Sequence, residues 1–327
     1  MQYEETGKVI RGVGGLFEIA LDAGKTPLSG RSVAARAKGN FRHEGVTPLP
    51  GDRVRLLFDE SACAKDKQGE LMRTSDGGGA VIAEILTRKN ALIRPPMANL
   101  DLLLITVAAA EPAPVPETID KLISIAEFNG IEPVLVIGKC DVDPENAETL
   151  KEIYELAGFP VFLLSAKEGE GIAPLRAYLA REMAGKTAAF AGASGVGKST
   201  LMNALFPTLG LQTGEISHRI SRGKHTTRRV ELYPIDGMEN AYIADTPGFS
   251  MLDFVRFDFF TRDDLVGTMR EFEPYIGECR FTKCSHTKEQ GCAILAAVHE
   301  GKIAKSRHQS YVAMFDALKN KHEWSKK

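Results

Sequence analysis

Gly192-Ala193-Ser194-Gly195-Val196-Gly197-Lys198-Ser199, followed by Thr200, constrains this chain more than any other stretch. It matches the phosphate-loop spacing at every fixed position, follows the apolar run 187–192 and precedes the helix-compatible segment 200–206. The chain must therefore supply a strand, a tight turn and a helix in that order. Glycines let the backbone curl until successive N–H groups converge on phosphate oxygens, Lys198 neutralises β/γ charge, and the Ser199 hydroxyl is placed to ligate Mg²⁺. The flanking sequence fits an open α/β sheet. Segments 102–107, 133–137 and 161–164 are continuous apolar runs, with helical stretches at 117–129, 145–157 and 172–183 between them. Apolar strands alternating with helices make a buried, mostly parallel sheet.

A nucleoside triphosphatase needs a second Mg²⁺ anchor. Segment 241–245 reads as a short strand ending in an acid, and Asp245-Thr246-Pro247-Gly248 is the GTPase form of that element. Asp245 would hold Mg²⁺ through water, and the Gly248 N–H would touch the γ-phosphate. Base recognition is expected from Gly138-Lys139-Cys140-Asp141 after one strand and Ser165-Ala166-Lys167 after the next. Asp141 can accept from both the guanine N1–H and its exocyclic amine, a donor pair adenine lacks, while the Lys139 stem packs on the base. Gly138 stands where such motifs carry Asn, so a polar side chain that would tie the base to the phosphate loop is absent. In ordinary GTPases the phosphate loop comes first and the base motifs last; here the base motifs precede it. The domain is circularly permuted.

Before the sheet, segments 8–10, 16–21, 32–37, 53–58 and 80–86 are short β-type runs broken by glycine, which predicts a small barrel. Segment 59–79 is polar, ends in three glycines and reads as a mobile loop. After residue 252 the β signal stops, and helical sequence runs from 293 to about 320. With 327 residues, 43% of them hydrophobic and 26% charged, the chain has the composition of an ordinary multidomain globular protein. Its longest apolar runs fall short of the ~20 residues a membrane helix needs, and the acidic start has no signal-like region. The expectation is a cytoplasmic protein without membrane attachment. A net charge of −2 gives no global basic field, so nucleic-acid contact must use local patches such as 218–229 and 301–327.

Five cysteines make no disulfide framework, and three of them share one window: Cys279, Cys284, His286 and Cys292 offer three thiolates and an imidazole, the donor set of a closed structural zinc site. Cys63 and Cys140 stand apart as free thiols. Taken together, the small barrel, the permuted motifs, the segment Gly223-Lys224-His225-Thr226-Thr227 and this cluster resemble the bacterial ribosome small subunit-dependent GTPase A family, RsgA or YjeQ, over nearly the whole chain. The resemblance implies an OB-fold barrel, a GTPase domain and a zinc-binding helical domain. It also implies late maturation of the small (30S) ribosomal subunit, with GTP hydrolysis to GDP stimulated by that subunit.

The expected organisation is thus a multidomain α/β protein: an N-terminal OB-type β-barrel (1–90), a circularly permuted P-loop GTPase α/β domain (91–252) and a C-terminal zinc-binding helical domain (253–327). Its cofactors would be one structural Zn²⁺ per chain and Mg²⁺ with GTP, and the protein would act as a monomer. The barrel and basic segments would contact 16S rRNA through exposed strands and cationic side chains. Phe249 occupies the position where many GTPases place a water-orienting Gln, and it cannot hydrogen-bond water. His225 is the nearest replacement by sequence, and the resemblance assigns it a catalytic role; Thr226 or Thr227 would complete the Mg²⁺ shell. Two other readings fit parts of the sequence. One is an RNA-binding checkpoint protein using GTP only as a conformational ligand. The other is a small-molecule kinase, which leaves Asp141 and Ser165-Ala166-Lys167 unexplained.

Overall fold

In the computed structural model, which describes residues 2–23, 30–39, 41, 45–59, 79–93, 95–207, 230–245 and 261–324, the N-terminal strands bury alternate side chains, the period of two of a half-buried strand. In β2 (Leu16–Leu21), Phe17, Ile19 and Leu21 are buried and the residues between them are not. Together with β1 (Gln2–Val13), β3 (Ser32–Ala37), β4 (Arg53–Asp59) and β5 (Ala80–Ile85) it closes a barrel in the order β1-β2-β3-β5-β4. Only the β3/β5 pair is parallel, which is OB-type connectivity. Val9, Ile19, Val54, Leu56, Phe58 and Ile82 fill the interior. β1 is much longer than the expected 8–10 because it serves two partners: residues 2–8 pair with β4 and residues 7–13 with β2, with a register shift between Val9 and Arg11. Its polar Glu4-Glu5-Thr6 start conceals it from a hydrophobic pattern. Residues 60–78 of the expected loop, with Cys63, lie outside the described residues.

A short hairpin, β6 (Ala91–Ile93) and β7 (Pro96–Ala98), leads into the sheet. The sheet contains β8 (Leu102–Ala108), β9 (Glu132–Gly138), β10 (Val161–Leu163), β11 (Thr187–Ala191), β12 (Glu231–Pro234) and β13 (Tyr242–Asp245), in the order β10-β9-β8-β11-β13-β12. All neighbours are parallel except the edge strand β12. Neither the hairpin nor β12 was visible as a continuous apolar run. Helices α1 (Pro116–Phe128), α2 (Pro144–Leu156), α3 (Ile172–Glu182) and α4 (Lys198–Leu205) connect the parallel strands. Both α1 and α2 begin with proline, whose absent N–H is one the first turn leaves unpaired anyway, and Asp143 caps α2 by accepting from Asn146 N at 3.0 Å. Side chains alternate across β8: Leu103, Ile105 and Val107 pack toward α1 and α2, Leu102 and Leu104 toward α3 and α4.

The expected C-terminal helix is two, α5 (Ala293–His299) and α6 (Lys305–Trp324), separated where Gly301 takes φ +73° and Lys302 N bonds back to Ala297 O. These helices and the 3₁₀ turns Leu265–Thr268 and Arg270–Tyr275 share one core with α1 and α2. The join is also ionic. Fully buried Arg307 on α6 pairs with Asp120 of α1 at 2.6 Å and with Glu271 at 2.7 Å. Deleting one member of such a group strands a buried charge at a cost of about 3–5 kcal/mol, so the C-terminal unit is fixed to α1. Among the described residues no helix is long and apolar enough to cross a membrane.

The barrel is fixed to the sheet with similar specificity. Gly51 (φ +93°) passes so close to β7 that a Cβ would lie 1.9 Å from the Ala98 carbonyl oxygen, and buried Asp52 accepts from Arg88 Nε at 2.7 Å. Lys8 of β1 is buried: its ammonium donates to Thr187 Oγ1 at 3.0 Å and stands 4.4 Å from the Tyr242 ring centre, touching the first residues of β11 and β13. Burial, only partly opposed by Asp101, lowers its pKa from 10.5 to about 8. Between pH 8 and about 10.4 the unfolded chain therefore holds more of this proton than the folded one, and Lys8 contributes a rise of stability with pH across that window. We expect Lys8→Met to remove this rise, worth on the order of 3 kcal/mol between its limits. Denaturant titrations at pH 7.5 and 9.5 measure it; equal pH dependence in both proteins would refute it.

Candidate functional site

Parallel strands put all their carboxyl ends on one edge of a sheet, and ligands of open α/β folds bind there. Here that edge carries Gly138 at the end of β9, Ser165 just beyond β10, Gly192 just beyond β11 and Asp245 at the end of β13. Segments separate in sequence, and in permuted order, thus meet along one rim.

The phosphate-loop segment turns on glycines whose geometry excludes other residues. Gly192 has φ +139°, and a Cβ on it would sit 2.1 Å from the Thr106 carbonyl oxygen of β8. Gly195 and Gly197 follow at φ +81° and +100°, and α4 opens with Lys198, Ser199 and Thr200. Ala193 and Ser194 are exposed at the tip while Val196 is buried beneath it. Lys198 Nζ curls back into the loop, donating to Gly192 O at 2.8 Å and Ala193 O at 2.7 Å. The ammonium is thereby held within the arc of the loop.

Lys139 adopts φ +61°, rare for a residue with a side chain, and its Nζ donates to the carbonyl oxygens of Glu111 and, at 3.2 Å, Gly195. Cys140 N bonds to Leu164 O at 3.3 Å, its Sγ donates to Ile137 O at 3.1 Å, and Asp141 is exposed at the rim. Ser165 is buried and exchanges backbone bonds with Glu170, each 3.1 Å, so Ala166 and Lys167 form the tip of a closed loop. Gly171 makes that loop possible at φ +72°, since its Cβ would lie 2.0 Å from Leu163 O. Hydrogen bonds thus join segment 138–141 to the phosphate loop through Lys139 and Gly195, and to Leu164, the residue before Ser165, through Cys140. Asp245 ends β13 in register with Glu231. His225, Thr226, Thr227, Gly248 and Phe249 lie outside the described residues. The carbonyl of Glu111 was not foreseen, because backbone acceptors leave no mark in a sequence.

Cys279, Cys284, His286 and Cys292 converge, with their ligand atoms all within 4.8 Å of one another. Cys279 Sγ is 3.5 Å from His286 Nδ1 and 3.8 Å from Cys292 Sγ, and Cys292 Sγ is also 3.5 Å from His286 Nδ1. The cluster fits a structural metal with no coordination position left open. Residues that sequence reasoning passed over hold the loop. Glu289 accepts from Ser285 N at 2.9 Å and from Thr287 N and Lys288 N at 3.1 Å, and these bonds with that from Ser285 Oγ hold its carboxyl down at about 2. Tyr311 donates to Ser285 O at 2.9 Å and His308 Nε2 lies 2.8 Å from His286 O, both from α6. Only the Ser285/Glu289 spacing could have suggested such a clamp.

Known proteins of the same architecture exist. The RsgA GTPase family model matches residues 85–255 and the RsgA N-terminal domain model residues 6–64. The chain is 36% identical over 318 residues to the Small ribosomal subunit biogenesis GTPase RsgA of Caldanaerobacter subterraneus, covering 97% of both. It is 38% identical over 320 residues to the protein of that name from Bacillus pumilus, covering 96% of this chain and 98% of that one. Among solved structures it resembles YjeQ from Thermotoga maritima, with TM-score 0.75 and 30% identity over 97% of this chain and 99% of that one. It also resembles YloQ, described as a circularly permuted GTPase, with TM-score 0.72 and 29% identity over 97% and 96%. Agreement across nearly the whole length, in sequence and fold alike, means that this chain belongs to the RsgA family of GTP-hydrolysing, circularly permuted P-loop GTPases.

Proposed function

We propose that this protein is a maturation factor of the small ribosomal subunit whose GTP hydrolysis is stimulated by that subunit. The observation that carries the reading is the shared rim: the segments we assign to base, phosphate and Mg²⁺ lie at the carboxyl ends of parallel strands of one sheet, in a family whose relatives are named for small-subunit biogenesis. Asp141, Lys139 and the loop Ser165-Ala166-Lys167 would hold the guanine. The amides of 192–200 and Lys198 would hold the phosphates, with Ser199, Asp245 and Thr226 or Thr227 around Mg²⁺. Water attacks the γ-phosphorus and the bond to the β-phosphate oxygen breaks, giving GDP and phosphate. His225 is the group we assign to orient that water, since the Phe249 side chain has no hydrogen-bonding atom to offer it, and the Gly248 N–H would report the γ-phosphate.

Zinc is the metal we assign to the Cys/His cluster. A tetrahedral ion with Zn–S bonds of about 2.3 Å has sulfur–sulfur edges of about 3.8 Å, and the Cys279–Cys292 separation is 3.8 Å. We further assign residues 1–90, 91–252 and 253–327 to barrel, GTPase and metal-binding domains, a cytoplasmic monomer as the working form, and 16S rRNA as the surface met by barrel and basic segments. The base site is tested by Asp141→Asn. An amide can donate to the extra carbonyl of xanthine where the carboxylate could only accept, so preference should swing from GTP toward xanthosine triphosphate by at least about tenfold. Competition binding with both nucleotides measures this; an unmoved preference would remove Asp141 as base reader.

A further inference from the structure

We propose that Gly138 sets how long a guanine nucleotide stays bound: it omits a strut between the base loop and the phosphate loop, and this makes release fast. The inference rests on the nucleotide site assigned above. Nothing in the fold asks for glycine at this position. Its φ is not in the left-handed region, and an added Cβ would meet Val107 O at 3.7 Å and Leu164 Cδ1 and Val196 O at 3.8 Å, all ordinary contacts. Gly192 and Gly171 differ sharply, since a Cβ on either would strike backbone oxygen at 2.1 and 2.0 Å. Glycine also weakens a strand end by adding backbone freedom and packing nothing. A residue that costs order and relieves no clash has its explanation in what it leaves out.

The direction of the absent side chain says what that is. The third neighbour of the Cβ position, Val196 O, belongs to the middle of the phosphate loop, and an amide or hydroxyl on Cβ would come within hydrogen-bond range of it. Among the described residues, the side-chain bond that joins these two loops is Lys139 Nζ to Gly195 O, 3.2 Å long and made by a flexible, half-exposed lysine. Base loop and phosphate loop grip opposite ends of a nucleotide, so it leaves when they part. A second, shorter strut would oppose that motion without touching the nucleotide, and its effect would fall on dissociation rather than association.

The test is release of a fluorescent GDP from the full chain with Mg²⁺, chased with excess unlabelled GDP, together with association rates and melting of the nucleotide-free protein. Gly138→Asn is expected to slow release about tenfold, the effect of one well-placed hydrogen bond, with association unchanged. Gly138→Ser, whose hydroxyl needs little more room than the Cβ, should slow it about threefold and decides the matter if the Asn variant does not fold. Unaltered or faster release in the folded variants overturns the proposal, as does slowing matched by a rise in melting with equally slowed association, which would report a stiffer strand. If the Asp141→Asn preference shift occurs while the Gly138 variants release normally, this inference alone fails; if neither responds, the nucleotide-site reading fails with it.

Discussion

Replacing Lys198 with alanine is expected to lower GTP turnover on the order of 10²–10³-fold, the usual cost of removing one positioned group that stabilises transition-state charge. The backbone supports such a large effect on chemistry with little effect on fold. Gly192, Gly195 and Gly197 keep their turn without Lys198, because that turn is fixed by positive φ angles and by the contact of Gly192 with Thr106. What disappears is the ammonium now held by Gly192 O and Ala193 O within the arc of the loop. The other described cation that reaches the loop, Lys139, is held by the carbonyl oxygens of Glu111 and Gly195 and not by Gly192 and Ala193. Single-turnover hydrolysis with saturating GTP reads the effect, and turnover within twofold of the parent would refute the assignment.

Loss of one metal ligand should have the largest effect on stability. Cys284→Ala or His286→Ala leaves three donors where the geometry offers four, and most of the ~10–16 kcal/mol apparent for a structural zinc is then lost. The hydrogen bonds around the cluster form only when the loop is closed on itself. His286 sits at φ +56° and the turn is pinned by Glu289, Tyr311 and His308, all of which need the loop in its closed form. We expect one equivalent of zinc in the parent, none in the variants, and proteolytic loss of the C-terminal unit in the variants. Because α6 also carries Arg307, the damage should extend to the contact with Asp120 on α1. Elemental analysis showing no zinc in the parent would end this assignment.

Much of the fold was legible because it is written in local chemistry. Continuous apolar runs marked β8, β9, β10 and β11 within a residue or so of their observed limits, and the helical stretches expected at 117–129 and 145–157 lie one residue from the observed Pro116–Phe128 and Pro144–Leu156. That segments 138–141, 165–167 and 192–199 follow strand ends was legible for a related reason, since each motif directly follows an apolar run. What escaped depends on partners remote in sequence. The length of β1 is set by pairing with two strands at once, and β12 is an edge strand of only four residues. The break between α5 and α6 could have been suspected at Gly301, but the surrounding pattern stays helical on both sides. Arg307 looked like one more cation of a basic tail. Only folding reveals it fully buried between Asp120 and Glu271.

Phosphate release from GTP with and without purified small subunits tests whether the nucleotide rim answers to a ribosomal partner. The described site holds the Lys198 ammonium within the loop, and the sequence has no glutamine after Gly248 to orient water. Hydrolysis by the free protein should therefore be slow, and the small subunit should accelerate it at least about tenfold, the behaviour of a GTPase whose site is completed in trans. Large subunits at the same concentration should leave the rate unchanged. Equal rates with and without small subunits, at concentrations where binding is demonstrated by co-sedimentation, would rule out a subunit-stimulated GTPase.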